Sequence, residues 1–140
     1  MRTIILLLLA SVLLVSCGGK KEIKQVSQES KTATEAFAVA DAVREAFIKK
    51  DQEAIKKHVS EAGFRDVMAG SRAYDDVALT FTPRWIEIEG GKLLLNISWK
   101  SSWRVSGRQM DERGMTVFAL EGNPLKLTKI LRANPFIPPQ

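Results

Sequence analysis

Few residue types in this chain can do chemistry, and they are thinly spread. One cysteine, one histidine and one tyrosine occur among 140 residues. A lone histidine without a second soft ligand offers no zinc or transition-metal set. Asp75-Asp76 and Asp111-Glu112 are turn carboxylates that lack the spacing of a calcium loop. There is no glycine-rich phosphate loop and no serine in a nucleophile elbow. The sequence therefore predicts neither a metal nor a cofactor. What remains is an aromatic set. Trp99, Ser101 and Trp103 alternate along one apolar stretch, so a strand there carries all three on one face. Arg84 and Lys129 fall on the same face by the same count. These five are the ligand-binding candidates, an aromatic wall with a cationic mouth suited to an amphipathic anion. The plainer alternative is two tryptophans filling a core and two long cations snorkelling at a sheet edge. Trp85 falls with Glu87 on the opposite, wetter face and suits a protein contact. His58, beside Lys56 and Lys57, reads as a solvated residue at a helix end.

The elements that must position these residues are legible from periodicity. Thr32-x-x-Glu35 has the spacing of a capping box, and Ala36, Phe37, Ala40, Val43, Ala46 and Phe47 form a helical stripe behind it. Asp41, Arg44, Glu45 and Lys49 lie opposite the stripe. Asp51 is placed to cap a second short helix through His58. Ser60 is placed to cap a third, with Gly70 as its stop. From Val77 the period changes to two. Glu89-Gly90-Gly91-Lys92 is a two-residue hairpin signal. Counting outward pairs Ile88 with Leu93, Ile86 with Leu95, Arg84 with Ile97 and Thr82 with Trp99. In the second strand Leu93, Leu95, Ile97, Trp99, Ser101, Trp103 and Val105 face one way, which makes one sheet face core and the other wet. Residues 107–114 read as a polar turn, Met115 to Glu121 as a strand, and Leu125 to Leu131 as the last strand. The order predicts an α+β fold, helices on one face of an antiparallel sheet.

The amino end decides where this domain works. Met1-Arg2-Thr3 is a charged start, and residues 4–15 form an apolar run too short to span a bilayer, which takes about 20 residues. Together they read as a secretory signal ending at Leu14-Val15-Ser16-Cys17. Residues 18–31 are polar, with only Ile23 and Val26 apolar, and read as a tether spanning about 20 Å. The division is a signal peptide over 1–16, a tether over 17–31 and one α+β domain over 32–140. Losing Arg2 with the leader lowers the formal charge of +5 by one. The remaining excess is scattered, without the basic stripe and stacking aromatics that nucleic acid requires. Lys20, Lys21 and Lys24 lie where an anionic lipid surface favours them.

The Leu-Val-Ser-Cys tetrad resembles the lipobox of bacterial lipoproteins. That resemblance implies cleavage before Cys17, diacylation of its sulfur by palmitate-like chains, and a membrane anchor made of lipid. Two or three acyl chains anchor stably where one does not. Gly18, in place of aspartate, implies the outer membrane facing the periplasm where the source has one. Residues 32–131 resemble, in element order and hydrophobic pattern, the cone-shaped superfamily named for nuclear transport factor two. It includes ketosteroid isomerase, scytalone dehydratase and polyketide cyclases. Asp51 through Ile55 stands at the joint between first and second helices, with Lys50 where those domains often have glycine. The resemblance implies a curved sheet around a pocket closed by helices, hosting enzymes, binders and interaction modules alike. Its enzymes use general acid/base chemistry. On that footing Tyr74 is a candidate donor, with Asp66 or Asp76 as base. The function expected is non-catalytic binding of a small amphipathic ligand or an envelope protein. The alternatives are a cone-pocket isomerase, dehydratase or cyclase, and a homodimeric assembly protein using the outer sheet face around Trp85 and Arg104.

Overall fold

The computed structural model of the protein describes residues 27–70 and 72–140. The leader, Cys17 and all but the last part of the expected tether lie outside the described residues. The first helix, α1, runs over Gln28–Ile48 and starts four residues before the expected capping box. Ser27 is the true cap, its hydroxyl accepting from the Ser30 N–H at 3.1 Å. Thr32 and Glu35 are interior, and residues 28–31 belong to the helix, not the tether. Two short helices follow, α2 over Gln52–His58 and α3 over Glu61–Val67. Their caps are the expected ones. Asp51 Oδ1 accepts from Ala54 N–H at 2.9 Å, and Ser60 Oγ accepts from Gly63 N–H at 3.1 Å.

The four strands are β1 (Asp76–Glu89), β2 (Lys92–Val105), β3 (Arg108–Glu121) and β4 (Lys126–Arg132). They form one open antiparallel sheet in the order β1-β2-β3-β4. The fold is α+β, three helices and then a four-stranded meander. The expected polar turn at 107–114 is mostly strand. The turn itself is only Ser106-Gly107, both at positive φ, and β3 starts at Arg108. The stretch reads as a loop because β4 pairs only with residues 116–121. Residues 108–115 are thus an edge, mostly exposed, and carry no clear alternation.

Two bulges reset the register. Pairing outward from the hairpin agrees with expectation as far as Ile86↔Leu95, then shifts between Pro83 and Trp85. Ile97 faces Pro83 and Trp99 faces Phe81, in place of the expected Arg84 and Thr82. Arg84 is the extra residue. Proline has no N–H for a ladder and is tolerated at an edge or a bulge, and Pro83 has both. In β4 a second shift leaves Thr128 as the extra residue, with Leu127 opposite Leu120 and Lys129 opposite Ala119. Lys129 therefore shares a face with Leu131 and not with Leu127.

The core lies between the helices and the inner sheet face. The stripe Ala36, Ala40, Val43, Ala46 and Phe47 belongs to one cluster with Val77, Leu79 and Phe81 of β1 and the apolar inner residues of β2. Arg44, expected in solvent, bridges the layers, with Nη1 donating to Leu79 O at 3.0 Å and Nε to Asp41 at 2.8 Å. On the other flank α3 lies against β4. A Cβ at Gly63 would collide with the carbonyl of Leu127, which fixes glycine there. The segment after β4 completes the core. Phe136 is 1% exposed, with ring centroids of Phe47 at 4.8 Å, Phe81 at 6.0 Å and Phe118 at 6.1 Å. Asn134 pins it there, accepting from Phe136 N–H at 3.0 Å and donating to Asp66 O at 2.7 Å.

Candidate functional site

The inner face of β2 carries the aromatic candidates, and the helices with Phe136 decide how much room they have. Trp103 is 1% exposed. Its Nε1 donates to Ser101 Oγ at 3.0 Å, and its ring meets Tyr74 edge-on at 4.9 Å and Phe47 at 6.1 Å. Ser101 thus spends its hydroxyl on its neighbour. Trp99 lies flat over Gly114, its cross-strand partner, where a Cβ would come within 2.7 Å of the ring. Its indole N–H is buried without an acceptor among the described residues. Both tryptophans fill core.

The two candidate cations are elsewhere. The bulge turns Arg84 to the outer face, where Nε donates to Ser98 Oγ at 3.0 Å. Lys129 reaches round the β4 edge, its Nζ 3.5 Å from Asp66 Oδ1. Of the five residues expected to form one pocket, Arg84 and Trp99 border a common hollow, while Ser101 and Trp103 bond each other on the inner face and Lys129 turns to an edge.

The acid/base candidates are also apart. Asp66 Oδ2 accepts from the Ile130 N–H at 2.9 Å, which joins α3 to β4. Asp76 is exposed at the start of β1, on the face opposite Val77. Tyr74 lies on the inner side, and among the described residues its hydroxyl meets neither carboxylate. Burial raises its phenol above the ordinary 10.0. No group of three or more His, Cys, Asp or Glu comes together among the described residues.

Tyr74 instead borders a cleft that the sequence did not reveal. Phe47, Ile55, Met68 and Tyr74 wall it, Lys50 and Arg72 stand at its rim, and its volume is about 240 Å³. Phe47 and Tyr74 stack at 5.8 Å. Lys50 Nζ sits 4.7 Å from the Tyr74 ring centroid and donates to the carbonyls of Tyr74 and Asp75. Arg72 Nη1 donates to Pro139 O at 2.6 Å. Both cations are held by backbone oxygens, so neither charge is neutralised by a carboxylate among the described residues. Lys50 is at positive φ, directly before the Asp51 cap. That is the left-handed backbone conformation, which glycine adopts without strain and a lysine adopts at a cost.

On the outer face Asn96, Val117 and Ala119 are buried, while Trp85 and Leu131 beside them are not. Trp85, Asn96, Val117 and Leu131 form one row across all four strands. Trp85 is 50% exposed, its Nε1 donating to Glu87 at 2.6 Å, and Leu131 is 40% exposed. The far end of this face is polar. There Asp111 accepts from Ser102, directly opposite, and from Gln109, and these bonds hold its carboxyl below the ordinary carboxylate range. No known family's model matches the sequence, and none of the curated proteins matches it.

Proposed function

We propose that this chain is an exported lipoprotein, anchored through Cys17, whose cone-like domain binds a small amphipathic anion without transforming it. The observation that carries this reading is the cleft between α1, α2 and the 72–74 loop, with an apolar stacked wall and two cations that meet no carboxylate among the described residues. Its volume falls below the roughly 300 Å³ at which ordinary ligand sites begin. It suits a short-chain or single-ring carboxylate, the apolar part against Phe47 and Met68 and the carboxylate toward Lys50 and Arg72. Three helices packed on one face of an antiparallel meander support the cone reading. The Leu-Val-Ser-Cys tetrad supports the anchor and the envelope location.

Mass spectrometry of the full chain purified from its membrane tests both halves. The covalent mass is expected to lack the leader and to carry acyl chains, and Cys17→Ala is expected to abolish both changes. Under native conditions a further small mass, released on denaturation, is expected; Met68→Trp, which fills the cleft, should remove it. A native mass equal to the denatured one would end the ligand reading.

A second reading is favoured by the half-exposed Trp85. A partner protein or a second copy of the chain would cover the Trp85–Leu131 row. A native mass of two chains that reverts to one in Trp85→Ser would select it.

A further inference from the structure

We propose that the outer face of the sheet holds a phosphoryl-binding site built from Arg84, Lys100 and Arg113. It is separate from the cleft and does not depend on what fills that. The register sets Lys100 directly opposite Arg113 on neighbouring strands. Two like charges so placed repel, and the arrangement destabilises a sheet unless something between them carries the opposite sign. Among the described residues neither cation meets a carboxylate within ion-pair distance. Asp111 and Glu112 line an adjoining hollow of about 580 Å³ with the pair, and Asp111 there accepts from Ser102 and Gln109. A third cation arrives by way of the Pro83 bulge. Arg84 would have faced the core in a regular strand, and the extra residue turns it outward beside the pair.

These groups share one hollow of about 460 Å³, lined also by Thr80, Thr82 and Ser98 and, on its apolar side, by Trp99 and Met115. Ser98 Oγ accepts from Arg84 Nε, which leaves the serine's own proton to donate and engages only one nitrogen of the guanidinium. Gly114 contributes no side chain to the floor. The hollow thus offers three positive charges and three hydroxyl donors, and no acid lines it. Charge-assisted bonds from guanidinium and ammonium groups are the strong ones, and a tetrahedral oxyanion has the oxygens to accept several at once. A single carboxylate would leave at least one of the three cations unmatched. A phosphoryl group, whether free or part of a lipid headgroup, matches all three.

The test uses the full chain in a neutral maltoside detergent. Inorganic pyrophosphate is titrated in one arm. Dihexanoyl-phosphatidylglycerol is titrated in the other, below its micelle concentration, with dihexanoyl-phosphatidylcholine as the zwitterionic control. Heat release and melting temperature are followed. Saturable binding of pyrophosphate, weakened about tenfold or more in Lys100→Gln/Arg113→Gln, identifies a site for free phosphate. The same result with the phosphatidylglycerol alone identifies a headgroup site. Arg84→Gln should weaken whichever probe binds, and its exposed position leaves folding intact. Without ligand, Lys100→Gln should raise the melting temperature by removing the repulsion. The proposal is overturned if neither probe saturates by about 10 mM, or if the double variant binds as tightly as the parent. A lower melting temperature in unliganded Lys100→Gln would also overturn it, since Lys100 would then have a partner within the chain.

Discussion

Trp99 and Trp103 stand on one face of one strand, two residues either side of Ser101, and the fold treats them in opposite ways. Trp103 is held from every direction, by Phe47 and Tyr74 on its ring and by the Ser101 hydroxyl on its N–H. Trp99 has a better floor and a worse hydrogen bond. It lies on Gly114, and its N–H is buried with no acceptor among the described residues. Burying an indole is favourable for its area, but an unsatisfied N–H gives back about 1–3 kcal/mol. The difference shows that apolar placement and polar satisfaction are set by different neighbours. The first comes from strand alternation. The second comes from a single serine that reaches one ring and not the other.

The largest way to break the Trp103 end is to empty its neighbourhood. Phe136→Ala should cost about 3–5 kcal/mol in urea unfolding followed by tryptophan fluorescence, as expected for a buried phenylalanine. A loss under about 1 kcal/mol would mean that the segment after β4 does not hold the core. At the Trp99 end the corresponding break is Gly114→Ala, where the new methyl meets the indole. It should cost about 1–3 kcal/mol by overpacking, and Trp99→Leu in the same chain should recover most of that. Independent, additive losses would show that the two residues do not touch. The comparison sharpens with Ser101→Ala, which should cost about 1–2 kcal/mol by leaving a second indole without a partner. In the same assay Trp103→Phe should cost about 1 kcal/mol more than Trp99→Phe, because only the former gives up a hydrogen bond.

The smallest expected effect belongs to Tyr74, which packs on Trp103. Its phenol is raised by burial, so the folded protein holds that proton after the unfolded chain has lost it. Stability is therefore unaffected by this group below about pH 10 and falls as pH rises through the folded value. Tyr74→Phe should leave neutral-pH stability nearly unchanged and flatten that alkaline fall. Since the chain has one tyrosine, absorbance near the tyrosinate band reports the group alone. A midpoint below 10 would contradict the burial of the ring.

How much of this was legible follows the range of the interactions involved. The α+β order, the caps at Asp51 and Ser60, the Gly90-Gly91 hairpin and the whole inner face of β2 are local patterns, and each appears in the structure where the residues place it. The helix start failed because two hydroxyl-bearing caps compete, and Ser27 begins the helix a turn earlier than Thr32. Arg84 and Lys129 failed because each count crossed a bulge. Pro83 was the available signal for the first, since proline in a strand marks an edge or an irregularity. Nothing comparable announces Thr128, whose hydroxyl is satisfied by Ala119 O and the Glu121 carboxylate from across the sheet. The cleft was invisible for a similar reason. Phe47, Met68 and Tyr74 come from separate segments, and only tertiary packing brings them together.

The position of Phe136 in the chain has a consequence for biogenesis. The ring that joins Phe47, Phe81 and Phe118 follows every helix and strand in order of synthesis. A ribosome that has completed β4 has not yet supplied it, and the core cannot close around a ring still to be made. On the export proposed above, this timing is useful. A translocation channel takes extended polypeptide, and a domain whose central wedge arrives after all its walls stays threadable until nearly the whole of it has been delivered.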